Sequence, residues 1–579
     1  MSVFERFASM TGSTRKPQGS AATGFNLPAR GEPFLWTMAG GLMIGILMIA
    51  AFLILIVWNG LITFYPKQIE VIHLNSGKVM AGEPIRTESF KIDPQTLQKL
   101  PTSVREAIKT GDVHASRTLY KTGNFDLYNE DYRWVTAFDI KRSDTPPEMV
   151  IVERSEWGPF IGTITQLELG EETIVDPAAI FSRLPDAHRE ANNRRDAIQR
   201  LERNEIGGIN HLMEKARLDL RRVTLKGDMT LATLQAAQQK HDRIISDLQK
   251  RYQELEHQAD IMKAEDERFR IALADVENRT KTLKLSGIVR IYPANTLSEW
   301  QKLGIYFSRW WEFLTAEPRE ANTEGGVMPA IFGTFTMTLL MVIVVTPFGV
   351  MAALYLREYA KQGRLVSLVR ICVNNLAGVP SIVYGVFGLG FFAYTVGGIM
   401  DSVLFPERLP NPTFGTGGIL WAALTLALLT VPVVIVATEE ALAAVPHSLR
   451  EGSLACGASR WQTIKYVVLP KAMPGIMTGL ILAMARGAGE VAPLMLVGVV
   501  KLAPELPIDG IFPFLHVERS FMHLAFHIFD VGFQSRNSEA GKPMVFVTTL
   551  LLISLIAIMN ASAIYIRNRL KRRYLSGHF

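Results

Sequence analysis

Six long apolar runs, separated by charged stretches, constrain the fold of this chain more than any other feature. Of the 579 residues, 48% are hydrophobic and 20% are charged, and residues 67–320 are polar and rich in charge. A helix needs about 20 mostly apolar residues to cross a bilayer. Each run therefore predicts a membrane-spanning helix, at residues 34–58, 329–356, 371–397, 418–438, 473–500 and 544–566. The first run is too long for a signal-peptide core and no small-residue cleavage site follows it, so it predicts an uncleaved anchor.

Basic residues border the apolar runs in four clusters. They are Arg6, Arg15, Lys16 and Arg30; Arg357, Lys361, Arg364 and Arg370; Arg450, Arg460, Lys465 and Lys471; and Arg567, Arg569, Lys571, Arg572 and Arg573. With six spans all four clusters lie on one face, which the positive-inside rule assigns to the cytoplasm. We therefore expect a multi-pass protein of the inner (plasma) membrane, with cytoplasmic tails at 1–33 and 571–579 and with residues 67–320 outside. These clusters explain the net charge of +6. The charge therefore indicates a lipid bilayer as the partner of this chain and does not indicate binding to nucleic acid.

Residues 67–320 predict a separate α+β domain. Alternating or apolar stretches at 132–138, 149–152, 160–167 and 288–292 are typical of strands. From about residue 186 to 285 the apolar residues instead recur at steps of three and four, the heptad pattern of paired helices. Gly227 is the favoured break, with Gly207 and Gly208 as the alternative. The pattern predicts a long helical hairpin whose second arm reaches roughly 80 Å at 1.5 Å per residue.

The role of this hairpin stays open between two interpretations. Heptads pair helices far more often than they bind solutes, which favours a scaffold or a protein contact. A docking surface for an external partner is the functional alternative, and the pattern does not decide whether the hairpin dimerises. The two cysteines, Cys372 and Cys456, lie in or near the membrane half, so no disulfide framework is predicted for the domain.

Arg486 and Glu490 lie inside a predicted span, where charge is costly. A charge at mid-bilayer costs on the order of 2.5–3.5 kcal/mol on insertion scales, so such residues favour a function. At i and i+4 the two share a helix face and can pair, and Gly487 and Gly489 allow another segment to approach. Arg486 would offer a guanidinium to a dianionic oxyanion while Glu490 orients it, because planar donors match phosphate oxygens. The alternative is a structural ion pair between helices.

Neutral donors accompany a predicted helix break in the third span. Asn374, Asn375, Ser381 and Tyr384 could line a solute pathway. Pro380, with glycines on both sides, predicts a broken or distorted helix, which membrane proteins tolerate where backbone is buried or lines a cavity. Ordinary packing of small residues is the alternative.

Three histidines, His516, His523 and His527, invite a metal interpretation. No acidic or cysteine partner stands at the spacing of a known zinc motif, so a structural role is favoured and no metal site is predicted.

The segment between the fourth and fifth spans carries a recognisable spacing. Glu451 is followed six positions later by Gly457, and Leu469 and Pro470 end the segment thirteen positions after that glycine. This pattern resembles the EAA loop of ABC-importer membrane subunits, E-A-A-x3-G-x9-I-x-L-P. Here the loop reads Glu-Gly-Ser, and Val467 replaces the isoleucine, which are small changes in side-chain size. A generic interfacial helix is the alternative.

Two further motifs narrow the resemblance. The run from Asn374 to Leu389 begins Asn-Asn-Leu-Ala-Gly-Val-Pro-Ser-Ile-Val-Tyr-Gly, and it resembles the phosphate-specific ABC permeases of the PstA type. The run from Ala485 to Leu494 is similar to that family's SRAxGETAPL segment, with Ala485 and Val491 in place of hydroxyl residues. The resemblance covers about residues 325–570, and the 67–320 domain is an insertion relative to it.

The resemblance implies a permease core at 325–570 with the fold of a type I ABC importer permease, mainly α with six transmembrane helices. A coupling loop at 449–470 would dock into a separate ATPase, with Arg450, Glu451, Gly457, Arg460, Leu469 and Pro470 as its key residues. Implied partners are a second homologous permease, two copies of the ATP-binding subunit and a periplasmic phosphate-binding protein. The chain has no G-x-x-x-x-G-K-[ST] motif, so we expect no enzyme activity and no bound cofactor, with ATP and Mg used by the partner ATPase.

Two rival functions stay open. One is a permease of the same class for another oxyanion, such as sulfate or molybdate. The other is a membrane-anchored coiled-coil sensor or tether, whose spans serve only as anchors.

Overall fold

The computed structural model describes residues 33–91, 114–225, 231–503, 505–509, 514–535 and 538–575. The basic cluster before the first span lies outside the described residues, as does Gly227. The chain divides into two compact units, one ending at Leu55 and the other beginning at Ile56. Helix α1 (Pro33–Ile62) is apolar and carries no acidic residue in its first turn and no basic residue in its last turn.

A first antiparallel sheet follows α1. It consists of β1 (Glu70–Leu74), β2 (Val79–Lys91), β3 (His114–Lys121), β4 (Tyr132–Thr136) and β5 (Ile140–Asp144). Their order across the sheet is β4-β3-β2-β1-β5. The short helix α2 (Phe125–Tyr128) lies between β3 and β4.

A second antiparallel sheet completes the domain. Its strands are β6 (Val150–Arg154), β7 (Phe160–Leu169), β8 (Glu172–Ile174), β9 (Phe269–Ala274), β10 (Thr280–Lys284) and β11 (Ile288–Tyr292). The order is β10-β9-β7-β6-β11, with β8 paired to β7. Buried apolar residues of β6, β7 and β9 form the core of this sheet together with residues of the helix that begins at Pro177. The strands predicted near 132–138, 149–152, 160–167 and 288–292 are confirmed.

A helical hairpin leaves the second sheet between β8 and β9. Its outgoing arm contains α3 (Pro177–Arg200), a π-helical turn at Leu201–Ile206 and α4 (Gly207–Leu225), and its return arm is α5 (Leu231–Asp266). Lys263 of α5 pairs with Glu202 at 2.7 Å across the arms. The helix continues through Gly207 and Gly208, so the alternative break proposed there is wrong.

The predicted extent of the hairpin, about 186–285, is wrong at its end. Residues 269–284 form β9 and β10, and α5 with its 36 residues spans about 54 Å. Phe269, Ile271 and Leu273 alternate at a period of two, and the latter two are fully buried. A step of four from Phe269 to Leu273 fits a helix equally well, and Asn278 at φ 58° makes the turn that separates the two strands.

The hairpin contacts the membrane part near its far end. Arg222 of α4 pairs with Glu407, which is buried in the loop between two spans, at 2.5 Å. At the π turn, Arg203 and Glu317 form a bidentate pair with both distances at 2.7 Å.

An amphipathic helix and a short strand pair connect the domain to the membrane-spanning part. Helix α6 (Glu299–Thr315) begins with a capping box formed by Ser298 and Gln301, and β12 (Pro318–Arg319) pairs with β13 (Glu324–Gly325). Glu153 of β6 binds Arg290 of β11 and Arg309 of α6. This network holds α6 against the second sheet.

The membrane-spanning part is built from the remaining helices. They are α7 (Met328–Leu354), α8 (Arg364–Leu376), α9 (Ser381–Phe387), α10 (Gly398–Leu404), α11 (Ile419–Ala443), α12 (His447–Ala455), α13 (Arg460–Thr463), α14 (Leu469–Gly489), α15 (Ala492–Val497), α16 (Leu524–Phe529) and α17 (Ser538–Leu575). Turns of π-helix extend several of them, at Tyr355–Tyr359, Gly388–Gly397, Ile464–Val468 and Asp530–Gln534. Six helices among the described residues are long and apolar enough to cross a membrane: Trp36–Ile62, Met328–Tyr359, Ser381–Leu404, Ile419–Ala443, Arg460–Gly489 and Gly541–Arg572. The predicted mainly α architecture with six spans and an added sheet-containing domain is confirmed.

Two of the predicted spans, the third and the fifth, differ most from the structure. The third span begins at Ser381 instead of 371, because Pro380 has no N–H and disfavours helix at Val379, so α8 ends before it. The fifth span ends at Gly489 instead of 500 because the backbone of Glu490 is extended. Its helix begins at Arg460, where the Ser459 cap lies in a polar stretch that hydropathy alone does not assign to a span.

Small residues allow the central helices to approach closely. A Cβ on Gly349 of α7 would lie 2.9 Å from Cβ of Val434 of α11, and a Cβ on Gly475 of α14 would lie 2.5 Å from Cβ of Ala441. Close backbone contact replaces the missing hydrophobic driving force between helices in lipid. The resulting core joins α7, α11 and α14.

His523 and His527 lie at α16, outside the six spans, and are buried. Their four ring nitrogens have no hydrogen-bond partner among the described residues, and no group of three metal-binding side chains occurs among those residues. Burial lowers the pKa of His523 to about 3 and that of His527 to about 4. Both rings are therefore neutral in the folded protein near pH 7.

We predict that acid destabilises the protein through these two rings. Unfolded histidines protonate near pH 6.5, whereas the folded rings bind protons only near pH 3 to 4. Hence the free energy of unfolding falls as the pH drops below about 6.5, by up to about 1.4 kcal/mol per pH unit for each ring. Melting of the purified protein in detergent between pH 7.5 and 5 measures this. His523→Phe combined with His527→Phe should flatten the curve, and the exposed control His447→Phe should leave it unchanged. An equally steep curve in the double variant would contradict the prediction.

Candidate substrate pathway and coupling loop

Arg486 and Glu490 meet where α14 ends. Arg486 lies in the last helical turn, and Glu490 follows the helix with an extended backbone. Nε of Arg486 lies 3.6 Å from Oε1 of Glu490, and their side chains are 37% and 20% exposed. The C-terminal end of a helix favours a cation. The predicted pairing is present, but Glu490 reaches Arg486 from beyond the helix and not from its face.

Tyr384 of α9, a predicted pathway residue, is buried, and its phenol donates a hydrogen bond to the Leu376 carbonyl at 2.6 Å. The next residue, Gly385, lies where α9 crosses α15, because a Cβ there would lie 2.7 Å from Cα of Pro493. The close crossing of these two helices therefore accompanies the burial of Tyr384.

The two glycines that follow Arg486 have different surroundings. A Cβ on Gly487 would lie 2.5 Å from the sulfur of Met341 of α7, whereas a Cβ on Gly489 would meet no atom within 4 Å. Close approach of another helix is thus found at Gly487 only.

Asn374, Asn375 and Ser381 lie on either side of the helix break. The two asparagines are exposed on α8, and Ser381 is half-buried at the start of α9. Asn374 borders a separate cavity of about 190 Å³ together with Arg370 and Glu439, which pair at 3.3 Å with side chains 34% and 19% exposed. Sequence reasoning missed this second arginine–glutamate pair, although Arg370 flanks a span and Glu439 lies near the end of α11.

The loop between α11 and α14 forms two helices joined by a tight turn. Gly457 has φ 85°, a left-handed conformation that glycine adopts without strain. Ser459 then caps α13 by accepting a hydrogen bond from the Gln462 N–H, and Gln462 bonds back to the Ser459 N–H. The predicted turn at the glycine is confirmed.

The end of this loop presents both charge and apolar surface. Glu451, Gly457 and Arg460 are exposed, and Arg460 lies over the ring of Tyr359 at 5.9 Å. Large apolar side chains are exposed on the same segment: Leu454, Trp461 and Tyr466. Exposed apolar groups rimmed by polar ones mark an interaction surface. Sequence reasoning did not single them out, since apolar residues also fit the core side of an amphipathic helix.

Arg450 lies inward and connects the loop to two spans. Its guanidinium donates to the carbonyls of Leu442 at 2.7 Å and Val445 at 2.6 Å, just past the end of α11, and pairs with Glu358 at 2.9 Å after α7. The side chain is largely buried. It braces the loop and does not contribute to the exposed surface.

Leu469 and Pro470 form the first turn of α14, which continues the helix that begins at Arg460. Both are half-buried, and Leu469 packs against the core of α7, α11 and α14. The π turn at Ile464–Val468 lies directly before Leu469. A proline is tolerated in the first turn of an α-helix, so Pro470 lies where the regular α-helical part of this long helix begins.

Comparison with known proteins agrees with this geometry. Residues 345–572 match the family described as the binding-protein-dependent transport system inner membrane component. The chain is 32% identical over 264 residues to the probable ABC transporter permease protein YqgI of Bacillus subtilis, covering 44% of this chain and 84% of YqgI. It is 37% identical over 204 residues to the probable ABC transporter permease protein YqgH of the same organism, covering 34% of this chain and 62% of YqgH.

A phosphate permease and a solved transporter are among the similar proteins. The phosphate transport system permease protein PstA 1 of Mycobacterium tuberculosis is 33% identical over 267 residues, covering 46% of this chain and 78% of PstA 1. A chain of the inward-facing MetNI methionine ABC transporter aligns at 18% identity with a TM-score of 0.30, covering 47% of this chain and 99% of that chain. Since about a third of the aligned residues are identical over more than three quarters of YqgI and PstA 1, this chain belongs to the family of ABC-transporter permeases described as binding-protein-dependent transport system inner membrane components.

Proposed function

We propose that this chain is the membrane-spanning permease subunit of an ATP-driven phosphate importer. The observation that carries the proposal is the pairing of Arg486 with Glu490 where a membrane-spanning helix ends. Relatives named as phosphate transport permeases, such as PstA 1, support phosphate as the solute.

Arg486 is suited to bind an oxyanion transiently. Guanidinium matches phosphate oxygens with planar, paired donors. The distance of 3.6 Å to Glu490 exceeds that of a good hydrogen bond, so the carboxylate orients the cation without a tight bond. Weak retention suits transport, because a solute held tightly would not leave.

The coupling loop would transmit the conformational change of a separate ATPase to the membrane spans. Leu454, Trp461 and Tyr466 would bind the ATPase, with Glu451, Gly457 and Arg460 beside them. Displacement of the loop would act on two spans through Arg450 and Glu358 and on Arg486 through the helix from Arg460 to Gly489. Rigid-body movement of these spans would alternate access to the pathway.

The proposed assembly contains a second homologous permease, two ATP-binding subunits and a periplasmic phosphate-binding protein. ATP and Mg would be used by the ATP-binding subunits, with no cofactor on this chain. Both termini would lie in the cytoplasm and residues 67–320 outside, as the basic clusters predict. Sulfate or molybdate remains the alternative solute, and competition of each anion with labelled phosphate uptake distinguishes them. A sensor or tether would show no uptake and would not copurify with an ATPase.

We predict that Arg486→Ala lowers labelled phosphate uptake roughly 10- to 100-fold, because a hydrogen bond to a charged group contributes about 1.5–3 kcal/mol. Uptake by cells that carry the full importer measures this, with pull-down of the ATPase as the assembly check. Arg370→Ala is the matched control, since its arginine–glutamate pair has nearly the same exposure. The control should retain most uptake. Normal uptake by Arg486→Ala, or an equal loss in both variants, contradicts the assignment.

Substitutions at two neighbouring residues of the coupling loop, Glu451 and Arg450, should have different effects on ATPase binding and on the stability of the permease. Glu451→Ala should leave the melting temperature of the purified permease unchanged but weaken copurification of the ATPase roughly tenfold, as a contact residue would. Arg450→Ala should lower the stability of the permease by about 1–3 kcal/mol, because Glu358 loses its partner.

Thermal melts and pull-downs on the same preparations measure both effects. Thr478→Ala, an exposed side chain further along α14, serves as the neutral control. A drop in melting temperature for Glu451→Ala as large as that for Arg450→Ala would show that the two residues share one structural role, which would refute the prediction.

A further inference from the structure

Helix α6 turns its apolar face outward. The side chains that share one exposed stripe are Trp300, Leu303, Phe307, Trp311 and Leu314. They recur at steps of three and four, so they line one side of the helix. Trp300 is 83% exposed, Phe307 65% and Trp311 71%. A contiguous apolar stripe of this kind marks a surface that is covered by a membrane or by another molecule.

The charged face of α6 fixes this orientation. Arg309 donates to Glu153 at 2.8 Å through Nε and to the Phe64 carbonyl at 3.0 Å. Glu312 pairs with Arg290 at 3.0 Å and also with Arg319. These five side chains are all largely buried where α6 meets the second sheet. Rolling the helix to hide the tryptophans would expose Glu153 without its partners, so the aromatic stripe stays outside.

The position of α6 along the membrane normal is set by two spans. Phe64, two residues after α1 ends, packs against Trp310 and Phe313 with ring centroids 5.1 and 5.3 Å apart. At the same end of α6, the Val327 N–H donates to the Phe313 carbonyl at 2.8 Å, one residue before α7 begins. The helix therefore lies where the first span ends and the second begins.

We infer that α6 lies in the bilayer surface on the side of the inserted domain, with its aromatic stripe among the lipid headgroups and upper acyl chains. Tryptophan is the side chain most typical of that depth, and amphipathic helices bind there through their apolar face. The end of α1 carries exposed apolar side chains as well: Trp58, Leu61 and Ile62. The lipid surface thus fixes the height of the inserted domain, and this inference holds whichever solute is carried.

Fluorescence quenching tests the inference on the full-length chain in phospholipid nanodiscs. Phe307→Cys and Trp311→Cys are introduced separately with Cys372→Ser and Cys456→Ser, and each is labelled with an environment-sensitive fluorophore. Arg183→Cys, at an exposed polar position of α3, is the matched control. Labels at 307 and 311 should lose most of their fluorescence to nitroxide-bearing lipids and little to iodide in the water. The label at 183 should show the reverse.

Two results would overturn the inference. Quenching of the labels at 307 and 311 by iodide, as at 183, would place the stripe in water. Protection from both quenchers would mean that protein covers it. A second measurement needs no substitution: a lipid carrying a photoactivated diazirine should label peptides of α6 in the unmodified chain. Labelling of α17 without any labelling of α6 would also refute the inference.

Discussion

A single continuous helix joins the exposed loop to the arginine at the end of the fifth span. It begins at Arg460 under the Ser459 cap and ends at Gly489, so its 30 residues cover about 45 Å. A hydrogen-bonded helix moves as one element, so a displacement at Arg460 reaches Arg486. Two prolines, Pro470 and Pro474, lie within this helix, and a π turn stands directly before the α-helical part that contains them.

Helix ends decide how firmly each arginine of the core is held. The carbonyls at a helix C-terminus lack intrahelical partners and carry partial negative charge. Arg450 uses two such carbonyls at the end of α11 in addition to Glu358, so it is fixed by three acceptors. Arg486 also lies at a C-terminus, but its carboxylate stands 3.6 Å away and its side chain is 37% exposed. The first environment fixes the side chain, and the second leaves the Arg486 side chain partly exposed.

Hydropathy, proline and charge in the sequence are sufficient to predict the six spans, the helix break at Pro380 and the pairing of Arg486 with Glu490. Sequence patterns that fit two different structures equally well are not sufficient to predict which one forms. Phe269 and Leu273 stand four residues apart in either a helix or a strand, and only pairing with β7 decides for the strand. The apolar stripe of α6 likewise fits a buried face, and the ion pairs of Arg309 and Glu312 turn it outward. In both cases, contacts between residues remote in sequence determine the structure, and a local sequence pattern does not contain this information.

The hairpin ties two parts of the permease core through a stiff element. Arg203 binds Glu317 shortly before α7, and Arg222 binds Glu407 shortly before α11. The two arginines are separated by 19 residues of helix, or about 28 Å. A motion that changes the distance between these two attachment points must therefore break one pair or bend the helix. The Arg203 pair is exposed on both sides, and exposed pairs contribute about 0–1 kcal/mol. Glu407 is buried, so losing Arg222 would leave a carboxylate without its partner. The Arg203–Glu317 pair near α7 is therefore the first to break, and the hairpin stays attached to the loop before α11 through Arg222 and Glu407.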